Sequence, residues 1–331
     1  MKSLQNIKEI TDSIRKRPAM YIGNEGIYNL LYRLLNELIK FCQNDFFFIT
    51  ITIINNKETS LEIKSNYSFN ELHSFFSKNN LSNQEILFSI VLRALSKNYE
   101  ININDKKKSI IIHFEIDDSL YFNSNIDFNK LCTEISKFAI INRNSEVLIK
   151  DKRNKYLLQN YFHFKQGIFY YFDHMKSEVL KKGLFEIKYD NMINDIHYQF
   201  GIIYRTDWFP NAQQVSFINE ENTIYGGSHI NGIISGLTNG FRKYVKFKKL
   251  ENYTIKKSKL LNGLIIACSI KTNYDPTFLG SFKQNLDDKI IEKQLESLVS
   301  KLTYEYLIKN SEVFTDFIHR FDNNHISSMM Y

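Results

Sequence analysis

The sequence is poor in residues that cross-link or interrupt a chain: its 331 residues include three cysteines, three prolines and one tryptophan. Cys42, Cys132 and Cys268 are odd in number and far apart, which excludes a secreted disulfide framework and disfavours a structural zinc site. No run reaches the roughly 18 to 20 apolar residues of a membrane-spanning helix, and the first residues lack an apolar signal segment. We therefore expect a protein of a reducing, cytoplasmic compartment, with neither a membrane nor a metal ion among its partners.

Repeats, low-complexity segments and proline-rich linkers are also missing. A chain of this length suits two domains that each bury a core, and without a linker the two are expected to pack together. After Lys182 the pattern changes from helices to alternating strands rich in aromatic residues. We therefore predict a first domain over residues 1–182 and a second over residues 183–331.

The first half of the chain alternates amphipathic helices with β-branched runs. A first helix ends at Pro18, and a second, at 27–41, carries apolar residues at three- and four-residue spacing. "FFFITITIINN" and "TSLEIKSN" predict a β-hairpin, followed by a helix at 85–95 and by the strands "YEININ" and "SIIIHFEI". Helices at 126–138 and 168–180 complete a half that we interpret as helices packed on one antiparallel or mixed sheet.

The second half begins with "HYQFGIIYRTDWF" and "QQVSFIN", which predict a second hairpin. A glycine turn, "YGGSH", then precedes a helix whose apolar residues recur at helical spacing from Ile230 to Tyr244. Ser228 is interpreted as the N-cap of that helix, because a serine hydroxyl there accepts a hydrogen bond from the first turn. A strand, "NGLIIACSIK", and a final helix from about Gln284 to Lys309 follow.

Three stretches in this order carry a family resemblance: "IRKRPAMYIG", "YGGSH" and "LIIACSIKTNYDPTFLGSFKQNL". Together they resemble the amino-terminal half of the DNA gyrase B subunit and of its topoisomerase IV relative. The resemblance implies an α+β fold, with a GHKL (Bergerat-type) α/β sandwich followed by a transducer domain of the ribosomal protein S5 domain 2-like type. The family continues into a metal-binding TOPRIM domain, beyond the stretch that resembles this chain, so we expect that the chain alone does not cut or rejoin DNA. The signature residues are Arg15, Lys16, Arg17, Pro18, Met20, Tyr21, Ile22, Gly23, Gly226, Gly227, Ser228 and His229.

The resemblance also assigns positions in the family's nucleotide site. Arg33 falls where the family has its catalytic glutamate, and Glu37 where it has the magnesium-binding asparagine, although a shift of one residue would bring Asn36 there. Asn66 is the nearest counterpart of the aspartate that reads adenine, and the glycine-rich lid over the phosphates is missing. Of the family's Q-T-K loop only Lys283 is kept. Because an arginine stays protonated and cannot act as a base, the resemblance implies no catalytic residue and the loss of ATP and magnesium binding.

Two basic clusters lie in the transducer-like half. In the family the transducer faces a cavity that DNA traverses, so the resemblance makes the two clusters candidates for nucleic-acid contacts, while a solvated lysine face explains them equally well. A third cluster, Lys150 to Lys155, is interpreted as a surface loop. The candidate nucleic-acid contacts are Arg242, Lys243, Lys246, Lys248, Lys249, Lys256, Lys257 and Lys259.

Three functions remain open from the sequence. The first is a catalytically inactive gyrase B-like pseudo-ATPase that acts by binding, as a mimic, regulator, inhibitor or immunity factor. Its protein partner would be a type II topoisomerase subunit or a topoisomerase-directed factor. The second is a DNA-binding accessory module that uses the basic transducer surface. The third is a residual ATPase in which Glu37 serves as the acid.

Overall fold

The computed structural model forms two compact units, Met1–Gly167 and Ile168–Tyr331. We call them unit 1 and unit 2. The predicted boundary between residues 182 and 183 lies outside the described residues. The structure describes residues 2–22, 26–40, 46–65, 91–104, 106–120, 125–177, 185–204, 212–250, 253–280 and 283–318.

Unit 1 begins with three helices and continues with strands. Its helices are α1 (Lys2–Lys16), α2 (Ala19–Ile22), α3 (Ile27–Lys40) and α4 (Phe128–Ile141), with a helical turn at 91–95. Its strands are β1 (Phe47–Ile53), β2 (Glu58–Ser65), β3 (Ser96–Asn104), β4 (Ser109–Ile116), β5 (Ser145–Asp151) and β6 (Leu158–Phe162). The predicted apolar face of α3 is confirmed, because all six of its residues are at most 4% exposed: Ile27, Leu30, Leu31, Leu34, Leu35 and Leu38.

The six strands of unit 1 form one mixed sheet in the order β3-β4-β2-β1-β5-β6. The predicted β1–β2 hairpin is confirmed, with Ile51 opposite Leu61. Its turn is closed by the side chain of Asn55, which accepts hydrogen bonds from the backbone N–H groups of Lys57 and Glu58, both at 2.8 Å. The pair β1–β5 is parallel and the other pairs are antiparallel. Alternate residues of β1 and β5 are buried in one core with α3 and α4.

Unit 2 contains a second mixed sheet and a pair of long helices. Its strands are β7 (Glu186–Ile193), β8 (Ile196–Tyr204), β9 (Gln213–Ile218), β10 (Glu221–Asn222) and β11 (Leu264–Lys271), in the order β10-β9-β11-β8-β7. Its helices are α5 (Phe169–Ser177), α6 (Ser228–Phe247), α7 (Lys257–Leu260), α8 (Lys289–Lys309) and α9 (Ser311–Ile318). The two mixed sheets with their helices confirm the predicted α+β class.

The predicted hairpin of β8 with β9 is wrong. Strand β11 lies between them, antiparallel to β8 and parallel to β9. Seven of its eight residues are buried, as is typical of a strand inside a sheet whose two faces are covered. The hairpin partner of β8 is β7, joined through Asn194 and Asp195, which have φ of 47° and 63°. This two-residue turn with positive φ is typical of tight hairpins and is visible in the sequence as Asn-Asp between two alternating runs.

Helices α6 and α8 pack closely along a row of glycines, Gly232, Gly236 and Gly240. A Cβ atom on Gly236 would lie 2.7 Å from Val299 Cβ, and one on Gly240 would overlap the side chain of Thr303. Glycine is therefore required along this seam. Helix α8 starts at Lys289, five residues later than predicted, because Asp288 is its N-cap and accepts hydrogen bonds from Ile290 and Ile291.

Candidate functional site

The first signature stretch forms a structural joint. Arg15, in the last turn of α1, donates one hydrogen bond to the carbonyl of Ala94 at 2.8 Å and another to the carboxylate of Asp117 at 2.6 Å. Hydrogen bonds from Ser119 and from Arg15 lower the pKa of Asp117, so this carboxylate is charged at neutral pH. One guanidinium thus ties α1 to the segments before β3 and after β4.

The other residues of this stretch contribute less to packing. Lys16 and Arg17 are exposed, as is Met20, whereas Tyr21 packs against the core. Pro18 follows α1, and its carbonyl accepts a hydrogen bond from the N–H of Tyr21 in the short α2. The backbone of Ile22 ends α2, and Gly23 lies outside the described residues.

The positions that the resemblance assigns to catalysis lie on α3. Arg33 is exposed. Asn36 is 6% exposed and is held in place by two bonds: it donates to the carbonyl of Tyr32 at 2.9 Å, and its amide oxygen accepts from Asn142 at 3.3 Å. Asn142 is the C-cap of α4, so Asn36 joins two helices of the core. The Asn36 side chain is therefore already engaged by packing.

Two further predicted positions are not described in full. Glu37 belongs to α3, but its side chain is outside the described part of the chain. Asn66 and the segment in which the resemblance finds the phosphate lid missing, within 66–90, also lie outside the described residues.

Lys283, which the resemblance aligns with the family's Q-T-K loop, is engaged within unit 2. Its ammonium lies 3.6 Å from a carboxylate oxygen of Glu221 and 5.6 Å from the centre of the Phe278 ring. Its backbone has φ of 52°, and its N–H donates to the carbonyl of Gly280 at 3.4 Å. The position therefore carries a lysine with a carboxylate neighbour of its own unit.

The second signature stretch forms hydrogen bonds with the loop that contains Lys283. The backbone of Leu286 donates to the carbonyl of Gly226 at 3.0 Å and accepts from the N–H of Ser228 at 2.8 Å. Gly227 has φ of 122°, and a Cβ atom there would overlap the backbone of Leu286. Only glycine combines this dihedral angle with so close an approach. The motif Gly-Gly-Ser-His thus holds the Lys283 loop against the start of α6.

The sequence predicted that Ser228 is the N-cap of α6, and this prediction is wrong. Gly227 occupies the cap position and Ser228 is the first helical residue. The serine hydroxyl instead accepts a hydrogen bond from the N–H of Asp288 at 2.9 Å. Ser228 therefore joins the beginnings of α6 and α8, a long-range contact that local periodicity does not reveal.

His229 is completely buried beside two hydroxyl groups. Its Nε2 atom lies 3.3 Å from the hydroxyl of Thr223, which is 2.7 Å from the hydroxyl of Ser216. Its Nδ1 atom has no hydrogen-bond partner in the part of the chain that the structure describes. Burial lowers the pKa of His229 to about 3, so the ring is neutral at physiological pH. A neutral, enclosed imidazole serves packing and is inaccessible to a substrate.

Three of the candidate nucleic-acid contacts line one groove, of about 500 Å³, between α6 and α8. A fourth cation, Lys293 of α8, joins them; the sequence reasoning missed it because it is a single lysine on a helix without a cluster. Ser300, 3% exposed, has a hydroxyl with no hydrogen-bond partner among the described residues. The lining residues are Asn239, Arg242, Lys243, Lys246, Lys293, Glu296, Ser297 and Ser300.

Arg242 also has a structural role in this groove. Its guanidinium donates two hydrogen bonds, at 3.2 and 3.3 Å, to the carbonyl of Ile255. Glu296, the carboxylate of the groove, accepts a hydrogen bond from Asn239 at 2.8 Å. Lys243, Lys246 and Lys293 are exposed. The groove is therefore cationic.

The remaining candidate contacts do not line the groove. The ammonium of Lys248 lies 5.8 Å from the Tyr244 ring, and Lys249, with φ of 56°, follows the end of α6. Lys256 is the N-cap of α7, which contains exposed Lys257 and half-buried Lys259. In the third cluster, Lys150 lies in β5 and the other cations follow in the β5–β6 connection.

The described residues contain neither a metal site nor a membrane-spanning helix. Among the described residues, no group of three or more histidine, cysteine, aspartate or glutamate side chains is placed to hold a metal ion. No helix in the described ranges is both long and apolar enough to cross a membrane.

Comparison with known proteins gives a consistent result. The family model for DNA gyrase B matches residues 167–328, which is nearly all of unit 2. The DNA gyrase B protein of Borreliella burgdorferi is 25% identical over 90% of this chain, and that of Streptococcus pneumoniae is 22% identical over 93%. The chain covers 54% and 55% of these relatives, so it spans about half their length.

Solved structures have a fold similar to that of this chain. The 43K ATPase domain of Thermus thermophilus gyrase B, in complex with an aminocoumarin, superposes with a TM-score of 0.73 at 16% identity and covers 96% of both chains. The topoisomerase IV ATP-binding domain of Francisella tularensis has a TM-score of 0.73 at 18% identity, covering 94% of this chain and 95% of its own. These matches confirm the predicted fold and the predicted resemblance. The chain is thus similar over nearly its whole length to the amino-terminal half of gyrase B, and its second unit matches the family model for DNA gyrase B.

Proposed function

We propose that this protein acts by binding a partner and does not hydrolyse ATP. The observation that carries the proposal is Arg33, an exposed arginine at the position that the resemblance gives to the catalytic glutamate. A guanidinium stays protonated and cannot take a proton from an attacking water. Two further observations support this: Asn36 is engaged by Tyr32 and Asn142, and Lys283 lies beside Glu221.

The partner we propose is a type II topoisomerase subunit or a factor directed at one. The two units keep the fold of gyrase B and topoisomerase IV ATPase domains along nearly their whole length. A chain that keeps such a shape without the catalytic carboxylate can occupy a binding site meant for the active protein. It would then act as a mimic, regulator, inhibitor or immunity factor.

The absence of turnover is tested by adding ATP and magnesium to the purified chain. We expect no phosphate release and no rise in melting temperature, since bound nucleotide would stabilise the folded state by mass action. Arg33→Glu, which restores a carboxylate at the position of the family's catalytic glutamate, is the variant to compare with the unmodified chain. Arg17→Glu is its charge-matched control, because it replaces an exposed arginine of the signature stretch. Turnover by the unmodified chain that depends on Lys283 would overturn the proposal and favour the residual ATPase.

The partner is tested with purified gyrase and topoisomerase IV subunits in a calorimetric titration. We expect saturable binding to at least one of them, with an affinity that ATP does not change. If none of these proteins binds, the topoisomerase partner is wrong, whatever the outcome of the ATPase assay.

A second candidate function is DNA binding in the α6–α8 groove. Lys243, Lys246 and Lys293 place three exposed ammonium groups there beside the guanidinium of Arg242. Each lysine that contacts a phosphate contributes about one unit to the slope of log affinity against log salt concentration. Lys243→Ala and Lys246→Ala would each lower that slope by about one, whereas Lys257→Ala, outside the groove, would leave it unchanged. An equal effect of all three substitutions would contradict a groove site.

A further inference from the structure

The two edges of the unit 1 sheet differ in their chemistry. Strand β3 forms one edge and strand β6 the other, and no described strand pairs with the outer side of either. Strand β3 carries charged groups at Lys97 and Glu100, a usual protection of an edge against pairing with another chain. Strand β6 reads Leu-Gln-Asn-Tyr-Phe and has no charge at all. Strand β6 therefore lacks the charged protection that β3 has.

Apolar side chains are concentrated at the β6 edge, which we define as Leu158–Phe162 together with Tyr156 and Leu157. Tyr156 is 78% exposed and Leu157 51%, and Leu158 and Tyr161 are about half exposed. Tyr161 lies opposite Leu148 on the adjacent strand, and its hydroxyl hydrogen-bonds to Glu146. A cluster of large exposed apolar groups on an unprotected strand marks an interaction surface.

The connection that carries this cluster is held in place. Arg153 donates to both carboxylate oxygens of Asp151, at 2.9 and 2.6 Å, and to the side chain of Asn56 at 2.9 Å. The N–H of Lys152 donates to the carbonyl of Ile53 at 3.0 Å. These bonds attach the β5–β6 connection to the end of β1 and to the β1–β2 turn. An ordered surface loses less conformational entropy when a partner binds.

Charge indicates what kind of partner fits. Exposed Lys152 and Lys155 stand at the start of the β6 edge, and exposed Lys165 follows its end. If two copies paired antiparallel about Asn160, Lys155 of one copy would face Lys165 of the other, and like charges that face each other destabilise a strand pair. An acidic segment would meet attraction at both ends.

We propose that the β6 edge receives an extended segment of a protein partner as an added strand, with apolar side chains at alternate positions and acidic residues beside Lys152 and Lys155. This inference rests on the proposed function as a binding protein. Backbone hydrogen bonds to β6 supply affinity in this mode, while Tyr161 on one face and Leu158 on the other supply selectivity.

A library of random twelve-residue peptides, selected on the full chain and then measured singly by fluorescence anisotropy, tests the proposal without a known partner. We expect peptides with alternating apolar and acidic residues. Leu158→Lys and Tyr161→Lys should each weaken their binding at least tenfold, and Tyr161→Phe, which keeps the ring, should change it less than twofold. Tyr99→Lys places the same substitution on β3, the opposite edge, and should have no effect.

Several results would overturn this inference. Failure to select any peptide, or peptides that bind all four variants equally, excludes the β6 edge as a strand-docking surface. Dimerisation of the chain that Tyr161→Lys abolishes would assign the edge to a second copy.

The topoisomerase titration is separate: if the unmodified chain and Tyr161→Lys bind a topoisomerase protein equally, the proposed function stands and the β6 edge is wrong as its site. If peptides bind and no topoisomerase protein does, the edge stands and the topoisomerase partner is wrong.

Discussion

The two units hold their signature residues by different means. In unit 1 the contact is a single charged side chain, Arg15, which reaches Ala94 and Asp117 from distant segments. In unit 2 the contact is made by backbone atoms, where Gly226 and Gly227 pack against the backbone of Leu286. Arg33, at a position assigned to chemistry, is instead exposed on α3. The difference teaches that the two units anchor a signature residue in different ways, by a charged side chain in one unit and by the lack of a side chain in the other.

The strongest test of this comparison is Gly240→Val in the seam of unit 2. The added side chain would overlap Thr303 across the α6–α8 contact, and overpacking of this kind costs about 3 kcal/mol when the helices must separate. We expect a loss of about that size, measured by chemical denaturation and located in unit 2 by hydrogen exchange. Asn231→Val, exposed on the same helix, is the control and should change the free energy of unfolding by less than about 0.5 kcal/mol. Equal losses for both would show that the seam tolerates a side chain.

Acid should weaken unit 2 before unit 1. The pKa of His229 is lowered from its ordinary value of 6.5 to about 3 in the folded state. Below pH 6.5 the unfolded chain therefore binds a proton more readily than the folded chain. Stability is therefore lost as pH falls from 6.5 towards 3, by about 2 kcal/mol at pH 5. The pKa of Asp117 in unit 1 is instead lowered from 3.8, so the contribution of Asp117 to the free energy of unfolding is retained until the pH falls below about 4.

Hydrogen exchange of both units at pH 7 and pH 5 measures this difference. His229→Phe removes the titrating ring, and we expect the stability of unit 2 to depend less on pH between pH 6.5 and 4 in this variant. His197→Phe is the control, because His197 is partly exposed and lies 2.7 Å from Asp190. A variant at His229 that keeps the full pH dependence would show that another group causes it.

Arg15→Ala should affect unit 1 by an intermediate amount. It leaves the buried carbonyl of Ala94 without its donor and Asp117 without its guanidinium. The Arg15 side chain is 37% exposed, so solvent screening limits the expected loss to about 1 to 2 kcal/mol. Arg17→Ala removes a neighbouring exposed arginine and should stay within about 0.5 kcal/mol in a thermal melt. Equal effects would mean that the joint depends on net charge and not on the geometry of Arg15.

The smallest effect is expected for Ser228→Ala. It removes the hydroxyl that accepts the N–H of Asp288, and a lost buried hydrogen bond costs about 1 kcal/mol. Ser235→Ala, elsewhere on α6, controls for the change in helix propensity. If the two variants melt alike, the contact between the starts of α6 and α8 contributes nothing measurable.

Local patterns allowed much of the fold to be predicted. The apolar face of α3, the β1–β2 hairpin and the helix after the Gly-Gly turn all follow from short-range periodicity. The sheet order of unit 2 did not, because β11 is far along the chain from both β8 and β9, and its uniform burial shows only that it has neighbours.

The candidate site was predicted less completely. Arg242, Lys243 and Lys246 were found as a run of cations, but Lys293 joins them only through the packing of α8 on α6. The contact of Ser228 with Asp288 was missed for a similar reason, since two residues far apart in sequence meet only when both helices are in place. Side chains whose roles depend on a distant partner are the ones that periodicity does not find.

The parallel pairing of β1 with β5 has a consequence for how the protein folds. Phe47 lies opposite Ser145, so these two neighbouring strands of the unit 1 sheet come from distant parts of that unit's sequence. A ribosome would have to release most of unit 1 before β1 and β5 could meet, and contacts between such distant segments slow folding. Until then the apolar faces of β1 and α3 would remain open to chaperones and to aggregation.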